Sequence, residues 1–547
     1  MGRDLFCWWK NGIVYHVYPQ SFKDSNNDGY GDLQGIIQKL DYIEELGIHA
    51  IWLSPVYQSP LVDGGYDISD YKNIHPDYGT MDDFRQLLDE AHKRNIRIIM
   101  DLVLNHTSDQ HPWFLESKSS KENPKRDWYI WHPPCNGKAP NNWRTNFGKK
   151  AWRYDPLTEE YYFHSFFREQ PDLNWRNPEV KRVMFDIVSF WLDMGVDGFR
   201  LDVINMIFKN YSFQNDSIKA LFSNNRVFNR NQPEVYEVLK EFRLLLEQYP
   251  DKTSVGEIYA PPPGDSKLAA GFLGNGSDML HLAFDFSLIF SVWQASSYYK
   301  IIRNYYQHIP QKGWPCFFLS NHDIGRSVGR TILSFYKHSK AKLHATLLLT
   351  LKGTPFVYYG DEIGMENTDI PKHKIRDLYG KLFYPFYKGR DGARTPMQWN
   401  DTDFAGFSMV EPFLPINNNH KSINVETSSK DEKSVYATYK KLIKLRNQHP
   451  VLQSGEIKFM NKGDKNVLIY SRYSENKKIV VFLNFGFLPK KIKNTEVSTI
   501  LFSTHEKNNK EIEGNILLEA YEGLVIESAI SAYNYTPLSL HDLPYNT

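Results

Sequence analysis

Sulfur chemistry has almost no place in this chain. Its three cysteines, Cys7, Cys135 and Cys316, are odd in number and far apart. No CxxC pair occurs, which excludes a thiolate zinc site and a disulfide framework. Long apolar runs are lacking too: the stretch 347–359 is broken by Lys352, Gly353 and Pro355, short of the roughly 18 residues a spanning helix needs. The opening MGRDLFCWWKNG has no apolar core of a secretory signal, and position six is Phe where myristoylation of Gly2 uses Ser or Thr. A cytoplasmic protein with no membrane contact is expected. The net charge of +1, with both signs dispersed, leaves no basic face for nucleic acid. Neither GxGxxG nor GxxxxGK[ST] is present, so the phosphate loops of doubly wound nucleotide-binding sheets are missing.

What is present centres on residues 195–205, GVDGFRLDVIN. The apolar run reads as a short buried strand ending in Asp202, with Arg200 one strand period earlier. Side chains alternate along a strand, so Arg200 and Asp202 point the same way. Taken by itself, that is a structural ion pair at a strand end. Four other stretches share the form, an apolar run breaking into polar residues: IIMDLVLNH (98–106), TSVGEIY (253–259), FFLSNHD (317–323) and TPFVYYGDE (354–362). Two more runs, 13–22 and 50–57, precede them. Helical patterns over 35–46, 177–194 and 234–249 lie between. Strands alternating with helices imply a parallel sheet, and polar strand ends point to a (β/α)8 TIM barrel with its site on the C-terminal rim.

At 547 residues the chain exceeds one core, so two or three domains are expected. The assignment is barrel over 1–104 and 175–455, an inserted subdomain over 105–174, and a C-terminal antiparallel β domain over 456–547. The insertion is the long Trp-, Tyr-, Pro- and Asn-rich stretch after the third strand; excursions of that length carry function. The last domain rests on β-prone segments 466–473 and 478–484 between Lys/Asn/Gly turns. The aromatic content of 15% suits flat ligand faces such as sugar rings.

After the first strand, DSNNDGYGD (24–32) alternates oxygen ligands at Asp24, Asn26, Asp28 and Asp32, with Gly29 for the tight turn. It is similar to the loop of an EF-hand, and a structural Ca2+ is expected there; an Asx-rich turn capping the next helix is the plainer alternative.

Three acids then stand at three strand ends: Asp202, Glu257 and Asp323. Cleaving a glycosidic bond takes one carboxylate at the anomeric carbon and one protonated carboxyl for the leaving oxygen. Asp202 beside Arg200 suits the first task. Glu257, after an apolar strand and Gly256, suits the second.

The segments DLVLNH (101–106), GFRLDVIN (198–205), GEIY (256–259) and NHD (321–323) resemble, in order and spacing, glycoside hydrolase family 13, the α-amylase family. QPDLNW (170–175) and DGARTPMQW (391–399) resemble its oligo-1,6-glucosidase and α-glucosidase branch. The resemblance implies Asp202 as nucleophile, Glu257 as acid/base and Asp323 as the third acid, with His106, His322 and Arg200 around the bound sugar. Asp63 and Arg390 match the pair that grips its terminal hydroxyl and makes the site exo-acting. Tyr66 matches the stacking platform; Phe147, Phe166 and Gln170 match lining positions. The Tyr30 carbonyl joins Asp24, Asn26, Asp28 and Asp32 in an implied calcium site. Val203 after the nucleophile favours isomaltose-type substrates, with malto-oligosaccharides as the second class. Small α-glucosides are the expected partners, and the protein a monomer or weak homo-oligomer. Within the family, trehalose-6-phosphate hydrolase and sucrose-active or transglycosylating enzymes are the alternatives. The non-enzymatic heavy subunit of amino-acid transporters is a distant one, since it requires a membrane helix and generally loses the acids.

Overall fold

Eight short parallel strands carry the apolar runs of the chain: β1 (Val14–Val17), β2 (Ala50–Leu53), β3 (Arg97–Val103), β4 (Gly198–Asp202), β5 (Thr253–Glu257), β6 (Leu282–Phe284), β7 (Cys316–Phe318) and β8 (Thr354–Tyr358). The computed structural model describes residues 6–223, 227–330, 336–460, 464–494, 497–507 and 510–528. The strands follow the order β6-β5-β4-β3-β2-β1-β8-β7 in one hydrogen-bonded sheet, a nearly closed (β/α)8 barrel. At the seam between β6 and β7, side chains take over from the ladder. The Phe284 and Phe318 rings lie 4.8 Å apart and the Cys316 thiol donates to the Ala283 carbonyl at 3.2 Å.

Both faces of these strands are buried, which is why they read as unbroken apolar runs. Val14, Trp52, Ile99, Val255, Phe284 and Phe356 fill the barrel interior. The intervening residues, such as Tyr15, Ile51, Phe199 and Val357, pack outward with the helices. Register sets the depth of each inward group: Arg200 on β4 stands level with Asp101 on β3 and Val255 on β5. The helix feeding β4 is specified locally. Asn177 caps it by accepting from the Glu179 N–H, Pro178 opens it, and Gly195 at φ 113° closes it, each the residue type its position favours.

Seven of the eight strands correspond to runs apparent in the sequence. The sixth, Leu282–Phe284, does not, because three residues give too short a pattern to separate from a loop. The 107–175 stretch has regular structure of its own: a helix (Pro112–Ser119) and a three-stranded antiparallel sheet with Glu160–Phe163 central. Its core is Ile130, Trp143, Ala151, Trp152 and Phe163.

The C-terminal part forms a six-stranded antiparallel sheet running from Glu456–Phe459 to Gly523–Ser528, with a second pair, Lys490–Ile492 and Ile516–Leu518, beside it. Positions 1–5 and 529–547 of the expected terminal domains lie outside the described residues. Arg472 ties this sheet to the barrel: fully buried, it donates to the carbonyls of Thr350 (2.8 Å), Leu452 (2.7 Å) and Gly455 (2.8 Å). Among the described residues no helix is long and apolar enough to cross a membrane, and all three cysteines are free.

Candidate active site

At the C-terminal rim, the inward-facing ends of β3, β4 and β5 bring three carboxylates onto one guanidinium. Arg200 donates through Nη1 to Asp101 (2.7 Å) and Asp202 (2.7 Å), and through Nη2 to Glu257. All four side chains are buried. Burial raises the Asp202 and Glu257 carboxyls above the usual range; Arg200 opposes this, while neighbouring carboxylates add to it, Glu257 for Asp202 and Asp323 for Glu257. Such a pair titrates as a unit and keeps a proton that free carboxyls would have lost. Asp101 is raised to about 6 by burial, against the pull of Arg200. Val203, next in chain to Asp202, sits at φ 35° and turns its N–H toward Glu257 (3.4 Å). A β-branched residue held there is strained, and the strain sits at the point where β4 must turn away from the rim.

A second tier closes one side. Asp323 receives Arg390 (3.1 Å), Arg394 (2.9 Å) and His322 (3.1 Å). Burial alone would raise its pKa, but these neighbours hold it well below the usual carboxylate range. Arg390 also binds Asp63 at 2.6 Å and Asp377 at 2.9 Å. Burial keeps His322 and His106 neutral, each lowered to about 4. Tyr66 stacks on His322 (5.3 Å, 10°) and donates to Asp101 (2.9 Å).

The inserted segment reaches in through QPDLNW. The Gln170 amide bridges Asp63 (3.1 Å) and His106 (3.1 Å). Asp172 pairs with Lys209 at 2.6 Å, both fully buried, and the Trp175 indole donates to the Leu104 carbonyl. The result is a cavity of about 280 Å³ whose lining includes Asp63, Tyr66, His106, Phe147, Phe166, Asp202, Glu257, Asp323 and Arg390. Arg200, His322 and Gln170 stand directly behind it. All the residues singled out for the sugar site therefore meet in one place. The outer wall is apolar and aromatic, with Tyr259, Pro262, Phe286, Phe290, Ile324, Tyr379 and Tyr387.

The polar end of β8 does not join the site. Glu362 accepts from the Tyr15 and Tyr42 hydroxyls (2.7 Å each), and Asp361 accepts from Ser320 (3.1 Å). The 24–32 loop lies apart as well. Asp24 accepts the N–H groups of Asn26, Asn27 and Gly29 and the Ser408 hydroxyl. Asn26 and Asp28 each accept an N–H two residues on, and Asp32 caps the helix Leu33–Ile37. Its donors are all hard oxygens, the type calcium takes, but among the described residues no three His, Cys, Asp or Glu side chains are grouped as a metal site.

The family model for the alpha amylase catalytic domain matches residues 16–455. The chain belongs to the alpha-amylase family. An oligo-1,6-glucosidase of Parageobacillus thermoglucosidasius is 43% identical, with 88% of this chain and 90% of that protein aligned. A trehalose-6-phosphate hydrolase of Bacillus subtilis (strain 168) is 37% identical over 95% and 98% of the two chains. Among solved structures, a mutant isomaltulose synthase of Erwinia rhapontici NX5, in complex with its natural substrate sucrose, superposes with a TM-score of 0.90. It shares 36% identity and covers 96% of this chain and 100% of its own.

Among the parts of this alpha-amylase-family site that the sequence does not single out are three charged groups, Asp101, Asp377 and Arg394. Asp101 opens the DLVLNH segment; its place on Arg200 follows from cross-strand register. Asp377 and Arg394 lie in irregular chain. Asp391, in the DGARTPMQW stretch, accepts the N–H groups of Arg376 (2.6 Å) and Asp377 (2.9 Å) and so seats Asp377 against Arg390. Burial would raise Asp377, but Arg390 lowers it to about 2. A carboxylate depressed from 3.8 to about 2 contributes stability that is fully present above pH 4 and lost as pH falls through 2. Asp377→Asn is therefore expected to cost roughly 2 kcal/mol at pH 7 by chemical denaturation. The gap from the unsubstituted protein should narrow below pH ~4 and close near pH ~2; a gap independent of pH would contradict the pairing.

Proposed function

We propose that the protein is a retaining, exo-acting α-glucosidase that hydrolyses short α-glucosides, isomaltose and isomalto-oligosaccharides foremost and malto-oligosaccharides second. The observation that carries the reading is the single Arg200 guanidinium holding Asp202 and Glu257 at the wall of one cavity. In the proposed sequence Asp202 attacks the anomeric carbon while Glu257 gives its proton to the leaving oxygen. Water, deprotonated by Glu257, then releases glucose from the ester on Asp202, with two inversions and net retention. The shared, burial-raised proton of the pair is what an acid catalyst needs at neutral pH. Asp323 and His106 bind the sugar's hydroxyls, His322 holds Asp323 from behind, and Tyr66 offers the sugar a ring face. Arg390, clamped between Asp63 and Asp377, blocks the chain beyond that sugar, which supports exo action.

The aromatic outer wall argues against a phosphorylated leaving sugar. Among the described lining residues Arg390 is the sole Lys or Arg, and three carboxylates already engage it. The preference for α-1,6 linkages rests on Val203 and on the similarity to oligo-1,6-glucosidases. A panel of isomaltose, maltose, sucrose, trehalose and trehalose-6-phosphate, with product anomer followed by NMR, tests the reading. Isomaltose should be cleaved fastest, with α-glucose released first. Sucrose or trehalose-6-phosphate as the best substrate would replace it.

Asp202→Asn and Glu257→Gln should each fold normally and lose several powers of ten in kcat on isomaltose. With a nitrophenyl glucoside, whose leaving group needs no proton, Glu257→Gln should keep a fast first step that Asp202→Asn lacks. Near-normal turnover of isomaltose by either variant would exclude the roles given to them.

We also propose that Asp24, Asn26, Asp28, Asp32 and the Tyr30 carbonyl hold calcium, for stability and not for chemistry. The support is the all-oxygen donor set in a loop spaced like that of an EF-hand. A chelator should lower Tm, and added Ca2+ should restore it. An unchanged Tm, with no metal found by elemental analysis, would remove the ion from the account.

A further inference from the structure

One cation beside the cavity has no direct ion pair among the described residues, and the buried Asp216 lies near enough to favour its charge. Arg230 is 2% exposed, and among the described residues it forms no ion pair; its Nε and Nη1 have no hydrogen-bond partner. Its guanidinium lies over the Tyr259 ring at 5.1 Å, and Nη2 donates to the Asn146 side-chain oxygen at 3.1 Å. Asn146 and Tyr259 both line the cavity, together with Val203 and Glu257. Burying a cation without a direct carboxylate contact is costly, and nothing in the catalytic sequence uses Arg230.

The contact has a directional consequence. A guanidinium carries only donors, so it can face only the oxygen of an amide. Arg230 thus fixes which way Asn146 points. With the oxygen committed, the amide's two N–H donors are left for other partners, and among the described residues they reach the Met206 sulfur at 3.5 Å, a weak acceptor. The backbone of Asn146 is itself anchored, its N–H donating to the Ser165 carbonyl at 2.8 Å. The cavity wall therefore carries one amide of fixed orientation, with its N–H donors weakly matched.

We propose that Asn146, held in this orientation by Arg230, donates to an oxygen of the leaving sugar and so selects hydroxyl-bearing leaving groups over apolar aglycones. Asn146 is the contact and Arg230 a positioning residue that acts through it. The proposal rests on the α-glucosidase reading and adds a leaving-group determinant to it. A substrate oxygen that accepts from Asn146 replaces a poor sulfur contact, whereas an aryl leaving group leaves the donor unmatched.

The test compares isomaltose with 4-nitrophenyl α-glucoside for the intact protein and for Asn146→Leu, Arg230→Met and the double variant. Each single substitution should lower the ratio of kcat/KM on isomaltose to that on the aryl glucoside by about tenfold, mainly through KM. The double variant should be no worse than Asn146→Leu alone. Arg230→Lys, which keeps a donor-only cation, should recover most of the ratio. An unchanged ratio in Asn146→Leu overturns the proposal, and so does an additive double variant. If Arg230→Met fails to fold, Asn146→Leu decides by itself. An unsubstituted protein inactive on both glucosides would strike the underlying reading instead.

Discussion

The structure depends on one buried cation shared among carboxylates. Arg200 meets Asp101, Asp202 and Glu257 inside the rim of the barrel, where none of the four can be well solvated. Three acids against one base leave an excess of negative charge that the site must hold as a proton. Their pairing is thus both the structural solution to burial and the source of the chemistry. The surroundings are built to hold that cluster still. The Trp52 indole and the Tyr66 hydroxyl both donate to Asp101 (3.2 and 2.9 Å), and His16 stacks on Trp52 at 3.6 Å to fill the barrel beneath.

Around this strand-borne centre the loops supply the rest. Asp63, Asp323, Asp377, Arg390 and Arg394 form a second lattice of alternating charge, drawn from segments more than three hundred residues apart. The inserted subdomain is keyed into the barrel by buried polar contacts, Asp172 with Lys209 and Gln170 with Asp63 and His106. Groups on strands sit at depths set by register, and groups on loops shape what is admitted. That division lets one barrel keep its reaction while its substrate range changes.

Much of this was legible in the residues themselves. The alternation that puts Arg200 and Asp202 on one face appears as a 2.7 Å ion pair, and the helix 177–194 begins and ends where its Asn-Pro and Gly signals place it. Other parts were not legible for identifiable reasons. The sixth strand spans three residues, too few to show a period. Glu362 looked as exposed to chemistry as Glu257, yet two tyrosines bury it. Asp377 and Arg394 give no sign in the sequence of the ion pairs they make, with Arg390 and with Asp323.

By itself the sequence determined the barrel class and the residue types on its rim, because strand alternation, capping and apolar runs act over a few neighbours; the family came from the resemblance of its motifs. Only the tertiary structure decided that three carboxylates share one guanidinium, that Arg390 joins Asp63, Asp323 and Asp377 at the cavity wall, and that Arg230 fixes which way the Asn146 amide faces. Those outcomes depend on register between strands and on where long connections return. Chain closure over hundreds of residues sets both, and no local pattern encodes them.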